Sequence, residues 1–275
     1  MNDYKIDFIS KPSRDFNEDG IITEHPIYTV FDGATSLKKH PNINTSEAEM
    51  LVRYLEKQLP LAYKHFQSFD QALKTLSKEY FKNNHNIYQN MTHKPSVGIA
   101  AAIDTGEHFE LYVLGDCEIV YLNHNEKATR FSYYGLQALD TQAINEMKKI
   151  AKEKNISIAD ARKHIDDILL ENRSLMNRLE GYQVFTPDKD PSFEIKHKRI
   201  LKRTTKALFL YTDGFGQAFD TLKLRSGYST LFHSKLNIDH IVDSINKTWN
   251  RDLQLNKHPR FKPKDDITVI KITLN

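Results

Sequence analysis

The sequence predicts an α+β fold: two antiparallel sheets packed together, with helices on the outside. Three observations carry this. Short segments rich in Ile, Val, Phe and Tyr recur at 5–9, 27–31, 96–103, 108–114, 118–122, 192–195, 207–211 and 267–274, each bounded by Gly, Asp, Pro or Asn. Tight turns join several of them. Asp104-Thr105-Gly106-Glu107 links two and His124-Asn125-Glu126 ends another, which is the connection of an antiparallel meander. Long helical blocks interrupt the strands in groups instead of following each strand singly.

The first helical block, 45–59, sets Ala48, Leu51, Val52, Leu55 and Leu59 on one face, with Thr45 or Ser46 as its N-cap. The second, 69–81, repeats the pattern with Phe69, Leu73, Leu76 and Tyr80. A third block at 140–179 is rich in charge and divides into two or three helices with one apolar face each. A fourth, 238–250, buries Ile241, Val242, Ile245 and Trp249. No internal repeat, low-complexity tract or Pro/Gly/Ser linker divides the chain. The simplest organisation is a single domain over 1–275 with a helical insertion at about 135–185.

Composition narrows the function classes. Hydrophobic residues are 39% and charged residues 27%, an ordinary globular mix that can build a core at 275 residues. A net charge of +3 gives no global case for nucleic-acid binding. The one basic run, Lys196-His197-Lys198-Arg199 with Lys202, Arg203 and Lys206, reads either as the solvated face of a strand or as a patch for an acidic or phosphorylated partner. A single cysteine, Cys117, allows no internal disulfide and fits a reducing compartment. Its apolar strand context, with no basic neighbour in sequence, reads as a buried inert thiol. No apolar stretch has the length of a signal peptide's core or a membrane span, so the expectation is a cytoplasmic protein that engages neither membrane nor nucleic acid.

The chemistry lies in five acidic motifs at the ends of strand-like runs. They are Arg14-Asp15-Phe16-Asn17-Glu18-Asp19, Asp32-Gly33, Gly115-Asp116, Asp213-Gly214 and Asp265-Asp266. A carboxylate at a strand end is held by the sheet yet faces solvent. Several on one rim repel each other unless a cation sits between them. A lone Asp-Gly is usually only a turn. Two at apolar strand ends, with Gly115-Asp116 as a third acidic end, point instead to a metal site for hydrolysis, and to a pair of metals handling phosphate. Oxygen donors without paired histidines favour Mg²⁺ or Mn²⁺ over zinc; the twelve histidines are scattered. Arg14 either neutralises the carboxylates beside it or offers a guanidinium fork to phosphate oxygens.

In these motifs the chain resembles the metal-dependent type 2C serine/threonine protein phosphatases, in the manner of a divergent bacterial member. The matching pieces, in order, are Arg14 with Glu18-Asp19, Val30-Phe31-Asp32-Gly33, Ser96-Val97-Gly98-Ile99-Ala100, Leu114-Gly115-Asp116-Cys117, Tyr211-Thr212-Asp213-Gly214-Phe215 and Asp265-Asp266-Ile267-Thr268-Val269. The segment 177–188 is similar to the return from the flap of bacterial members. The resemblance implies a β-sandwich of two antiparallel sheets flanked by helices, with metals in a cleft at one end. It implies that Asp32 bridges two Mg²⁺ or Mn²⁺ ions. Glu18 and the Gly33 carbonyl would complete one ion's ligands, and Asp213 and Asp265 would hold the other. Asp19 would bond a metal-bound water, Asp116 would serve a weaker third ion, and Arg14 would hold the phosphate of a phosphorylated protein substrate. A water shared by two cations would attack phosphorus in line, with no phosphoenzyme.

Three positions depart from the family pattern. Ala34-Thr35-Ser36 follows Asp32-Gly33 where eukaryotic members carry His-Gly-Gly, a feature bacterial members often lack as well; leaving-group protonation then falls to water or another group. Gln217 stands where the third-metal site usually has an aspartate. Asp266 stands where Asn is common and adds negative charge beside the site. Two other readings are open: a binding or regulatory protein that keeps the fold with little activity, and a phosphatase using an aspartyl-phosphate. The latter needs Asp-x-Asp at a strand end, and Asp32-Gly33-Ala34 lacks the second Asp.

Overall fold

The computed structural model describes residues 4–36, 45–89, 91, 94–133, 135–216 and 237–274. Among the described residues ten strands form two five-stranded antiparallel sheets. The first has the order β1-β10-β9-β6-β7, from β1 (Tyr4–Lys11), β10 (Ile267–Leu274), β9 (Thr205–Tyr211), β6 (Glu118–Asn123) and β7 (Ala128–Phe131). The second has the order β2-β3-β4-β5-β8, from β2 (Asp19–Ile22), β3 (Ile27–Ala34), β4 (Ser96–Asp104), β5 (His108–Leu114) and β8 (Lys196–Leu201).

The period of two along each strand sorts side chains between layers. In β3, Tyr28 and Val30 face the other sheet, while Ile27 and Phe31 face outward to helices. In β9, Leu208 and Leu210 point inward and Phe209 and Tyr211 outward. The sheet-to-sheet core joins Val30, Ala100, Leu111 and Val113 to Ile119, Leu210, Ile270 and Ile272. Burying each such aliphatic side chain is worth roughly 1.5–3 kcal/mol, so this layer supplies much of the cohesion between the sheets.

Helices cover both outer faces. The helices α1 (Glu47–Phe66) and α2 (Phe69–Asn83) lay Leu51, Val52, Leu55, Leu73 and Leu76 on the second sheet. The Ser46 hydroxyl caps α1 by accepting from the Glu49 N–H at 3.2 Å, one of the two caps expected. The helix runs seven residues past the expected end at 59, straight through Pro60, because Ala62, Tyr63 and Phe66 continue the apolar face. A short helix, α3 (His85–Tyr88), follows. After β7 come α4 (Gly135–Lys154), α5 (Ile158–Ala161) and α6 (Asp166–Ser174). They divide the expected block at 140–179, beginning five residues earlier and ending at 174. Ala143, Met147, Ala161 and Ile165 make a separate small core with Leu255. Last, α7 (Asp213–Gly216) follows β9, and α8 (Ile238–Asn250) packs Ile241, Val242, Ile245 and Trp249 on the first sheet.

Two strands are invisible to the sequence pattern. Both β2 and β7 have four residues and lie at sheet edges, too short to show alternation. A third expectation is shifted: 192–195 is irregular, and the strand is β8 at 196–201. Phe193 is buried, but against Phe185 in the helix-side core, and the neighbouring Glu194 N–H donates to the Gln183 side chain instead of a strand.

The basic run is the exposed half of β8, at the edge of its sheet. Its charges are largely matched within the chain. His197 and Arg199 both reach Glu110, Lys202 reaches Asp104, and Lys206 reaches Glu126. That is a solvated strand face. Among the described residues no helix is long and apolar enough to cross a membrane.

Candidate metal centre

Strand pairing brings the acidic motifs together. Asp32 lies near the end of β3, opposite Asp19 of β2 on one side and Gly98 of β4 on the other. The turn from β5 to β6 carries Asp116, and Gly115 adopts a φ of 77° there, a conformation that suits glycine. Asp213 opens α7 directly after β9, and its backbone N–H donates to Asp32 Oδ2 at 3.3 Å. Asp265 precedes β10, which pairs with β9. A cavity of about 630 Å³ is lined by Asp32, Gly33, Asp116, Asp213 and Asp265. Five of the eight expected site residues therefore meet at one cavity, from four distant parts of the chain.

The other three lie beside it. Asp19 is buried beside Asp32 on the neighbouring strand and accepts from the Thr212 hydroxyl at 2.8 Å. Glu18 accepts from the hydroxyls of Thr35 and Ser46, each at 2.6 Å, and from Arg14 Nη2 at 3.3 Å. Arg14 is exposed. Neither Arg14 nor Glu18 lines the cavity.

Electrostatics describe a site built for cations. Burial pushes the Asp32 carboxyl well above its ordinary range, and Asp19, Asp116 and Asp265 push it further. Burial also raises Asp213, with Asp265 and Asp32 adding to the effect. Asp116 and Asp19 are raised in the same way, burial first, although the Thr212 hydroxyl partly offsets Asp19. Carboxylates in such a cluster must take up protons or share a cation. Ligand atoms of Asp32, Asp116 and Cys117 lie within 4.8 Å of one another. Cys117 is fully buried and its thiol is pushed well above its ordinary range by burial and then by Asp32, so it stays protonated beside an oxygen donor set. Gly98 makes room for this set: a Cβ there would stand 2.6 Å from Asp116 Oδ1. An all-oxygen donor set in a glycine-lined cradle fits Mg²⁺ or Mn²⁺.

Four features escape the sequence pattern. Lys262 Nζ lies 2.6 Å from Asp265 Oδ1 on the cavity wall, and its place three residues before Asp265 is the only hint in the sequence. Asp140 enters the wall from α4, where burial and then Asp116 raise its carboxyl to about 7. Arg173, from α6, also lines the cavity, and its buried Nη1 has no hydrogen-bond partner among the described residues. Asp266 was expected to add charge beside the site. It does, pushing the Asp19 carboxyl up, and its carboxylate also accepts the backbone N–H groups of Ser13 at 2.7 Å and Glu18 at 2.8 Å, and so braces the Arg14–Glu18 loop. Gln217 lies outside the described residues.

No family model and no curated protein matches the sequence. Solved structures do match. The serine/threonine phosphatase Stp1 from Staphylococcus aureus is 14% identical, with 99% of this chain and 95% of that chain covered and a TM-score of 0.58. The Mycobacterium tuberculosis serine/threonine phosphatase PstP/Ppp is 14% identical, with 99% of each chain covered and a TM-score of 0.56. The S. agalactiae serine/threonine phosphatase is 11% identical, with 99% and 100% covered and a TM-score of 0.58. The chain has the α+β fold of these bacterial type 2C phosphatases along its whole length.

Proposed function

We propose that the chain is a metal-dependent phosphomonoester hydrolase acting on phosphoserine and phosphothreonine in protein substrates. The observation that carries this is the meeting of Asp32, Asp116, Asp213 and Asp265 at one cavity, in the fold of bacterial serine/threonine phosphatases. In this reading Asp32 would be shared between two Mg²⁺ or Mn²⁺ ions. Glu18 and the Gly33 carbonyl would serve one, Asp213 and Asp265 the other, and Asp116 a weaker third. Bound ions of this kind supply the charge that makes water a nucleophile near neutral pH and stabilises the phosphoryl oxygens.

The chain's own residues do the rest. Asp19, held by the Thr212 hydroxyl, would bond a water on one of the ions. Arg14 is exposed, and an incoming phosphate would exchange its pairing with Glu18 for a bidentate contact. The whole chain forms one phosphatase unit, with 135–185 as a flap. That segment contributes Asp140, Arg173 and Tyr182 to the cavity wall, where they would meet the residues flanking a phosphorylated side chain.

One observation favours a second reading, a phosphatase-fold binding protein with little turnover: the Lys262 ammonium partly neutralises the site without a metal. Hydrolysis of p-nitrophenyl phosphate separates the two. The enzyme turns over with Mn²⁺ or Mg²⁺, stops in EDTA and is silent as Asp32→Ala. A folded protein with no turnover under any metal overturns the enzyme reading. Phosphoserine, phosphothreonine and phosphotyrosine peptides, tested next, check the substrate class.

A further inference from the structure

Of the described ion pairs, Lys262–Asp265 is the one that involves an aspartate of the cavity, with 2.6 Å between the charged atoms. The pairing is not an accident of a loose tail. Lys262 sits on a loop held by buried Arg260, whose guanidinium donates to Asp252 Oδ2 at 3.0 Å, to the Asp252 carbonyl at 3.1 Å and to the Pro263 carbonyl at 2.7 Å. Asp252 in turn accepts the backbone N–H groups of Lys257 and His258. Phe261, next to Lys262, packs against the small core of α4–α6. The loop thus fixes the Lys262 backbone at the mouth of the site.

The side chain is 42% exposed and carries its ammonium on a flexible four-carbon stem. The same ammonium offsets the mutual repulsion of Asp32, Asp116 and Asp213. An ammonium on Asp265 Oδ1 and a divalent ion on the same carboxylate repel each other, because like charges a few ångströms apart interact strongly in a partly desolvated site.

We infer that Lys262 is a tethered counter-cation for the Asp213–Asp265 side of the centre, which a second divalent ion must displace before it binds. This rests on the metal reading above. The two ions then bind unequally: one with its intrinsic affinity, the other weakened by exchange with the lysine. The lysine also keeps the metal-free fold from carrying an uncompensated carboxylate cluster.

Calorimetric titration of metal-free protein with Mn²⁺, at one pH and ionic strength, tests this. Wild type should show a tight and a weaker step. Lys262→Gln should strengthen the weaker step on the order of tenfold or more, whereas Lys262→Arg should keep it weak. Without metal, Lys262→Gln should melt below wild type, and saturating Mn²⁺ should remove or reverse that gap. Two measurable steps unchanged in Lys262→Gln overturn the inference while leaving the metal reading intact. Folded wild type that binds no Mn²⁺ overturns the metal reading, and the inference with it. Wild-type protein gives a readout that needs no variant. Acetylation of Lys262, followed by mass spectrometry, should quicken several-fold when Mn²⁺ is added, with Lys264 as the internal control. Equal labelling with and without Mn²⁺, in protein shown to bind both ions, overturns the inference.

Discussion

The carboxylate of Asp266 accepts the backbone N–H of Glu18 at 2.8 Å, across 248 positions of sequence. Its other oxygen accepts the N–H of Ser13. The loop holding Arg14 and Glu18 is thereby tied to the strand that follows Asp265. Asp266→Ala leaves two N–H groups without their charged partner and should cost about 3–6 kcal/mol of stability, at roughly 1.5–3 kcal/mol for each hydrogen bond to a charged group. Asp266→Asn keeps an acceptor for one and should cost about half. Urea unfolding measures both; equal stability of all three proteins would show that the brace is idle.

Gly98 is the close neighbour of Asp116. Gly98→Ala puts a methyl group 2.6 Å from Asp116 Oδ1 and forces that carboxylate to move. The expected outcome is Mn²⁺ affinity lowered roughly tenfold, the scale of a disturbed coordination shell, with the melting temperature of the metal-free protein changed far less. Calorimetric titration alongside thermal melts checks it, and unaltered Mn²⁺ binding would remove Asp116 from the centre.

Metal-free stability should fall as pH rises. Asp19, Asp32, Asp116 and Asp213 have folded-state values above their ordinary range, and Asp140 is raised to about 7. The folded protein therefore keeps protons that the unfolded chain releases near pH 4, so stability is fully present below that point and is lost as pH climbs to 7 and beyond. The lowered carboxyls Asp104, Glu110, Asp188 and Asp252 act oppositely, but only below about pH 4. Between pH 5 and 8 the raised set governs. In EDTA the melting temperature should drop across that range, and Mn²⁺ should raise it more at pH 8 than at pH 5. A rising melting temperature in EDTA would contradict the clustering of these carboxyls.

Arg260 is nearly fully buried with Asp252. Removing one partner of a buried pair leaves the other charged and desolvated, so Arg260→Ala should cost about 3–5 kcal/mol. Because its guanidinium also holds the Pro263 carbonyl, the loop bearing Lys262 and Asp265 should loosen. Hydrogen exchange at 257–266 would show faster exchange there than in β4, whereas uniform protection would place the loop's rigidity elsewhere.

Much of the fold was legible because its signals are local. Tyr28, Val30, Leu208 and Leu210 alternate with Ile27, Phe31, Phe209 and Tyr211, and each strand is buried on both faces under helices whose apolar spacing is equally plain. Strands β2 and β7 were lost because four residues are too few to show a period. A buried aromatic such as Phe193 reads as strand whether or not its backbone pairs.

The sequence by itself determined the two-sheet layout, the helical faces and the order of the acidic motifs, including Asp32, Asp116, Asp213 and Asp265. Those follow from periodicity and from short motifs, which need only near neighbours in the chain. Only the tertiary structure decided which carboxylates share a cavity and which are spent on the backbone. It set Asp266 on two N–H groups, Glu18 on two hydroxyls, Asp19 beside Asp32 and the Lys262 ammonium against Asp265. Such choices depend on where side chains distant in sequence end up within about 3 Å of each other, and only the folded sheets and the braced loop at 251–266 set those distances.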